Sequence, residues 1–284
     1  MEAEQAMVRE LDCGGRRLVL DRPRVMGILN VTPDSFSDGG RYVDLGAAVE
    51  RAWRMVEEGA DIIDVGGEST RPGAAPVPME EEMIRVVPVI EAIAAKLPVP
   101  VSVDTSKPEV MGAAVVAGAG LVNDVRALRA PGALEMVAAF GVPVCLMHMR
   151  GEPRTMQRAP AYRDVVAEVR AFLLERVAAC EAAGIPRERI LIDPGFGFGK
   201  TLEHNLALMR RLDAFVETGL PVLVGVSRKS MIGALLGDAP VERRLHGSVA
   251  AAVVAACKGA AIVRVHDVAP TVEALRVAWP LCRP

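Results

Sequence analysis

The chain reads as an α/β protein, a (β/α)8 (TIM) barrel with a short N-terminal β-hairpin. Three observations predict this. Eight short runs rich in Val, Ile and Leu alternate with segments of helical periodicity across 284 residues. All eight runs end on or beside a polar residue: Asn30, Asp64, Asp104, Asn123, His148, Asp193, Ser227, His266. Five runs follow a glycine (Gly59, Gly118, Gly141, Gly184, Gly259), the residue that most readily adopts the left-handed conformation ending a helix. The closest strand ends, Asp104 and Asn123, are 19 residues apart, room for a crossover helix, so the strands should run parallel. An open doubly wound sheet is the alternative. The polar tips favour closure, because a barrel gathers strand ends at one mouth.

Taken in order, residues 1–22 form a hairpin segment, with short runs on either side of Gly14-Gly15. Residues 23–284 form one barrel domain. Arg24–Asn30 is the first barrel strand, and a long loop follows to Val43. Leu45, Val49, Trp53 and Val56 then mark a helix over 44–58. Asp61–Gly66 is the second strand, and a loop to Pro78 leads to a helix through Lys96 with Pro88 inside it. Val99–Asp104 precedes a helix opened by Pro108, whose missing N–H costs nothing in a first turn. Leu121–Asp124, Val142–His148, Ile190–Asp193, Val222–Val226 and Ala261–His266 complete the strands. Helices are expected over 132–140, 162–183, 202–217, within 229–257 and over 271–282.

Composition excludes several classes. A net charge of −3 offers no electrostatic case for nucleic acid or an anionic membrane. The most apolar tract, 247–263, is broken by Cys257-Lys258-Gly259 and reads as a buried helix and a strand. Five dispersed cysteines without zinc spacing suggest reduced thiols, and with the acidic N-terminus a cytoplasmic location.

The chemistry centres on Ile190-Leu191-Ile192-Asp193-Pro194-Gly195-Phe196-Gly197-Phe198-Gly199-Lys200-Thr201. A buried strand here presents Asp193 and then turns through glycines that let backbone approach a ligand. It is not a phosphate-binding P-loop, because Pro194 stands where that pattern requires its first glycine. Asp104, Asn123 and Asp193 suit a planar heterocycle with a guanidine-like edge, since a carboxylate accepts two parallel N–H bonds. Asn30, Lys229, Arg264 and His266 supply donors and cations, which suit phosphate. An isolated strand-end Asp is more often a helix cap, and Lys200 fits a solvent-facing lysine equally well. Eight polar tips together carry far more weight than any one.

The motifs Gly27–Gly40, Asp64–Gly73, Ser102–Thr105, Asn123–Val125, Met147-His148, Asp193–Phe198, Ser227–Ser230 and Arg264–Val268 resemble those of the dihydropteroate synthase family, in order and over 24–275. The resemblance implies a transferase of folate biosynthesis. Its reaction is condensation of 6-hydroxymethyl-7,8-dihydropterin diphosphate with p-aminobenzoate to 7,8-dihydropteroate and diphosphate. It implies a pterin pocket of Asp104, Asn123, Asp193 and Lys229, lined by Met147 and Gly225. Asn30 resembles a ligand for Mg2+, and Arg264, His266 and Thr70 a diphosphate clamp. Phe36, Asp38, Arg71 and Pro72 resemble loop residues over the aminobenzoate, flanked by Phe198 and Ser230. Lys229, Arg264, His266 and Asp104 would carry the catalytic step. Family members are homodimers, and the Ala-rich C-terminal helices are the expected interface. Small molecules are the expected partners, without nucleic acid or membrane. The alternatives are a pterin-binding methyltransferase domain using methyltetrahydrofolate, and a non-catalytic pterin-binding module. The Arg71-Pro72 loop argues against the first, and the intact phosphate-binding set against the second.

Overall fold

A computed structural model describes residues 9–32, 45–69, 74–152 and 155–282. Strands β1 (Glu10–Cys13) and β2 (Arg16–Val19) form an antiparallel hairpin. Eight parallel strands follow: β3 (Arg24–Asn30), β4 (Ile62–Gly66), β5 (Val101–Asp104), β6 (Leu121–Asp124), β7 (Val144–Met147), β8 (Ile190–Asp193), β9 (Leu223–Val224) and β10 (Ile262–Val265). Each of β3 to β7 pairs with the next, and β10 lies between β9 and β3. A bridge between Ile192 and Val222 brings β8 beside β9, so the barrel is nearly closed. β9 is short, and Pro221 just before it has no N–H for the ladder.

The described helices are α1 (Leu45–Glu57), α2 (Met79–Lys96), α3 (Pro108–Val116), α4 (Ala133–Phe140), α5 (Val165–Ala182), α6 (Leu202–Arg210), α7 (Asp213–Val216), α8 (Ser230–Leu235), α9 (Leu245–Cys257) and α10 (Val268–Cys282). The five glycines at helix-to-strand joints all have positive φ, from 66° to 110°. Several strands and the helix expected over 162–183 are shorter than expected, and two helix bounds differ for a local reason. The helix expected over 202–217 breaks into α6 and α7, and α10 starts at Val268 because Pro270 fits a first turn.

Two apolar layers build the barrel. Outward-facing strand residues and the inner faces of the helices form the main core. Inside the barrel, Met26, Ile62, Leu121, Cys145, Leu191, Leu223 and Ile262 form a plug, which Leu11, Cys13 and Leu18 of the hairpin extend. The Arg16 guanidinium donates to Val99 O at 2.6 Å and Arg24 Nε to Val19 O at 2.5 Å, fixing the hairpin across that end. The polar chemistry is thereby confined to the opposite end, at the strand carboxyl termini.

The cysteines depart from expectation. Cys257 and Cys282, 25 residues apart, form a disulfide, while Cys13, Cys145 and Cys180 are free and buried. The two cysteines end α9 and α10, and only the packing of those helices brings them together. Their spacing gave no such signal.

Candidate active site

Strand register sets the site. Asn30 pairs with Gly66, Gly66 with Asp104, and Asp104 with Asn123, so these tips lie along one row of the barrel mouth. Met147 pairs with Asp193 on the neighbouring strands. Asp104, Asn123, Met147 and Asp193 are all buried, while Asn30 is half-exposed.

The hub is Asp64, which is 0% exposed. Its Oδ2 accepts from Arg264 Nε at 2.6 Å and from Asn123 Nδ2 at 3.2 Å. Arg264 Nη2 donates to Asp104 Oδ2 at 2.6 Å. Arg264 therefore bridges two carboxylates rather than standing apart with the phosphate-type residues. Burial pushes Asp104 up to about 7, against the pull of Arg264 and with a further push from Asp64. Arg264, held between them, stays charged. Two of its five N–H groups bond carboxylates among the described residues. Asp64 was legible as a strand tip, but nothing in the sequence marked it as the link between the arginine and the amide. A lone carboxylate inside Ile-Ile-Asp-Val-Gly was the available signal.

On the other side, Asp193 Oδ1 accepts the Gly195 N–H at 2.7 Å. Burial raises the Asp193 carboxyl while the Lys229 charge opposes the rise. Lys229 donates to Phe196 O and sits 4.5 Å from the centroid of the Phe198 ring. Burial brings its ammonium down to about 8, partly offset by Asp193. Lys229 thus joins the heterocycle-type group as well, and the two sets read from the sequence merge. Met147 packs with Val125, Met149 and Met156 in an apolar cluster that Phe198 borders. The last three of those methionine and valine contacts were not foreseen, because scattered apolar residues on loops carry no periodicity. Gly225 lies against Arg264, whose Cβ would be 3.8 Å from a side-chain carbon there.

His266 anchors to Ser227, donating its backbone N–H to Oγ at 3.2 Å with Nδ1 3.1 Å from the same oxygen. Ser230 is exposed at the start of α8. Phe36, Asp38, Thr70, Arg71 and Pro72 lie outside the described residues.

Lys200 does not face water. It is 3% exposed, with Nζ 2.8 Å from Gly195 O, 3.1 Å from Phe198 O, 3.4 Å from His148 O and 3.0 Å from His148 Nδ1. His148, a strand-end residue in the sequence, is lowered to about 3 by burial and by Lys200, so its ring is neutral. It serves this lysine and packs edge-on to Phe172 at 4.9 Å.

No cluster of three or more His, Cys, Asp or Glu able to hold a metal occurs among the described residues. Among the described residues, a cation here would have Asn30 at the end of β3 as a protein oxygen, with ligand oxygens completing its shell. That donor set fits Mg2+, which keeps waters and commonly binds through substrate phosphates.

Residues 26–266 match the family described as pterin binding enzyme. The dihydropteroate synthase of Escherichia coli K12 is 60% identical over 263 residues, covering 93% of each chain. That of Haemophilus influenzae is 52% identical over 268 residues, covering 94% of this chain and 97% of its own. Among solved structures, Xanthomonas albilineans dihydropteroate synthase with 4-aminobenzoic acid superposes with a TM-score of 0.92 at 58% identity, over 97% of this chain and 98% of that one. The same enzyme in complex with 7,8-dihydropteroate gives a TM-score of 0.88 at 57% identity, over 96% and 98%.

Proposed function

From the premise that this chain belongs to the dihydropteroate synthase family of pterin-binding enzymes, we propose how its barrel mouth carries the family's reaction. The activity is transfer of a pterinylmethyl group from 6-hydroxymethyl-7,8-dihydropterin diphosphate to p-aminobenzoate. The observation that carries the residue assignment is the ring of Asp104, Asn123, Asp193 and Lys229 around one buried mouth, with Arg264 linked to it.

Asp193 and Asp104 accept N–H bonds from the pterin edge, Asn123 and Lys229 bind its other polar atoms, and Met147, Gly225 and Phe198 cover its faces. The remaining Arg264 N–H groups, His266 and Thr70 hold the diphosphate. Asn30 would hold Mg2+ at this end of the mouth, and the ion would supply charge neutralisation for the leaving group. The methylene C–O bond breaks and its electron pair leaves with diphosphate. The electron-rich pterin ring delocalises the resulting positive charge, and the carboxylates of Asp104 and Asp193 stabilise it. The arylamine nitrogen forms the new C–N bond and then loses a proton. An arylamine attacks such a centre without a strong base, so no side-chain nucleophile is required. Phe36, Asp38, Arg71 and Pro72 contact the aminobenzoate, with Ser230 at its carboxylate.

The same reading makes the enzyme a homodimer through the C-terminal helices, supported by exposed Val254 on α9 and Val277 and Leu281 on α10. It also makes the enzyme cytoplasmic, and no described helix is long and apolar enough to cross a membrane. The test is diphosphate release from the pterin diphosphate with and without p-aminobenzoate. Release that depends on the amine supports the reading, and amine-independent release would overturn it.

A further inference from the structure

The turn 194–200 has no regular secondary structure, yet every carbonyl from Gly195 to Gly199 is bonded by a side chain. Lys200 takes Gly195 O and Phe198 O, Lys229 takes Phe196 O, Gln157 takes Gly197 O, and the Tyr162 hydroxyl donates to Gly199 O at 2.9 Å. Asn205 Oδ1 accepts the Gly197 N–H at 2.7 Å. A free glycine-rich turn would sample many conformations, because glycine loses the most backbone freedom on ordering. Here side chains replace the ladder of hydrogen bonds that a strand or helix would provide. The turn is also packed too tightly to shift. A carbon added at Gly195, where φ is 70°, would come within 1.9 Å of His148 O.

Lys200 is central to this shell. It alone bonds two turn carbonyls, and it ties the turn to His148 at the end of β7. Burial holds its ammonium down to about 7, opposed by the attraction of Asp193. Its Nζ makes four polar contacts and is almost wholly shielded from solvent, so each contact offsets part of the cost of burial. The same turn follows directly on Asp193, whose Oδ1 accepts the Gly195 N–H, and it carries the Phe198 ring against Lys229.

We propose that Lys200 is a positioning residue for the pterin pocket. Through the carbonyls of Gly195 and Phe198 it fixes Asp193 and the Phe198 ring before ligand arrives, with Tyr162 completing the hold at Gly199. Lys200 itself touches no substrate. This rests on the assignment of Asp193 to the pterin, and it adds a preorganised wall whose ordering cost is met during folding rather than on binding.

Lys200→Met keeps the volume and removes every donor. In the folded variant, the Kd for a bare pterin, measured by calorimetry, should rise about tenfold or more, by the loss of charged hydrogen bonds that hold the wall. Inhibition by Mg2+ diphosphate should stay at the wild-type level, because Arg264 and His266 are held from β10 and Ser227. A role in folding alone would lower the melting temperature and weaken both ligands together, or neither, and either result overturns the proposal. Tyr162→Phe removes one donor from a half-buried ring and should weaken pterin alone by several-fold. Should Lys200→Met not fold, unchanged pterin affinity in Tyr162→Phe overturns the proposal. Asp193→Asn separates the two levels. If it leaves pterin affinity intact, the pocket assignment fails, whereas if only the Lys200 and Tyr162 variants are silent, the positioning role fails.

Discussion

Replacing Asp193 by Asn isolates the pterin contact. The Asn carbonyl can still accept the Gly195 N–H that Oδ1 takes at 2.7 Å, so the local turn is kept. The second oxygen becomes an N–H2 group facing the N–H donors of the pterin edge. A charge-assisted pair is lost and two donors oppose each other, costing about 2–4 kcal/mol. That corresponds to roughly a 30- to 700-fold rise in Kd. The fold should tolerate the change. Burial raises the Asp193 carboxyl despite the Lys229 charge, so removing the ionised form also removes a desolvation penalty. Calorimetry with a pterin, alongside a thermal melt by circular dichroism, makes the measurement. Wild-type affinity in a folded Asp193→Asn variant would refute the assignment of this carboxylate to the heterocycle.

Six further outcomes follow from the same structure. Pterin affinity should fall as pH drops below about 7, because Asp104 must be ionised to accept N–H bonds, and Asp104→Asn should flatten that profile in a pH-resolved titration. The unliganded fold should respond oppositely. The folded pKa of Asp104 lies above its ordinary 3.8, so its contribution to stability is full below 3.8 and is lost as pH rises through about 7, which melts across pH 4–8 would read. Arg264→Ala should lower both stability and diphosphate affinity, since it strands Asp64 and Asp104, by about 3–5 kcal/mol in a denaturant titration. His266→Ala should weaken diphosphate while leaving the melt nearly unchanged. Lys107 bonds Glu68 and the fully buried Glu82, so Lys107→Met should cost about 3–5 kcal/mol in the same titration. Finally, p-aminobenzoate should bind detectably only with pterin and diphosphate present, and Phe36→Ala should raise its KM alone. Stoichiometric binding to the free protein would contradict this.

The barrel was legible because its signals are local and repeated. Apolar runs, polar tips and joint glycines such as Gly59 and Gly141 each act within a few residues of chain. The identity of the tip residues was equally legible, since an apolar strand that ends on Asp or Asn stands out. Their pairing was not. Arg264 and Asp64 are 200 residues apart, and whether an arginine meets a phosphate or a carboxylate is decided by register across three strands. The burial of Lys200 was hidden for the same reason. Its partners include His148, 52 residues earlier, and a lysine at a helix start has the same local sequence whether it faces water or a cage of carbonyls. The Cys257–Cys282 bridge depends on the packing of two helix ends and left no mark in the spacing of the cysteines.

The most direct test is the product balance. Purified protein with the pterin diphosphate, p-aminobenzoate and Mg2+ should yield 7,8-dihydropteroate and diphosphate in equal amounts by mass spectrometry and diphosphate assay, and Asp193→Asn should lose both together. Diphosphate formed at the same rate without the amine, or in excess of dihydropteroate, would show hydrolysis rather than transfer and contradict the account.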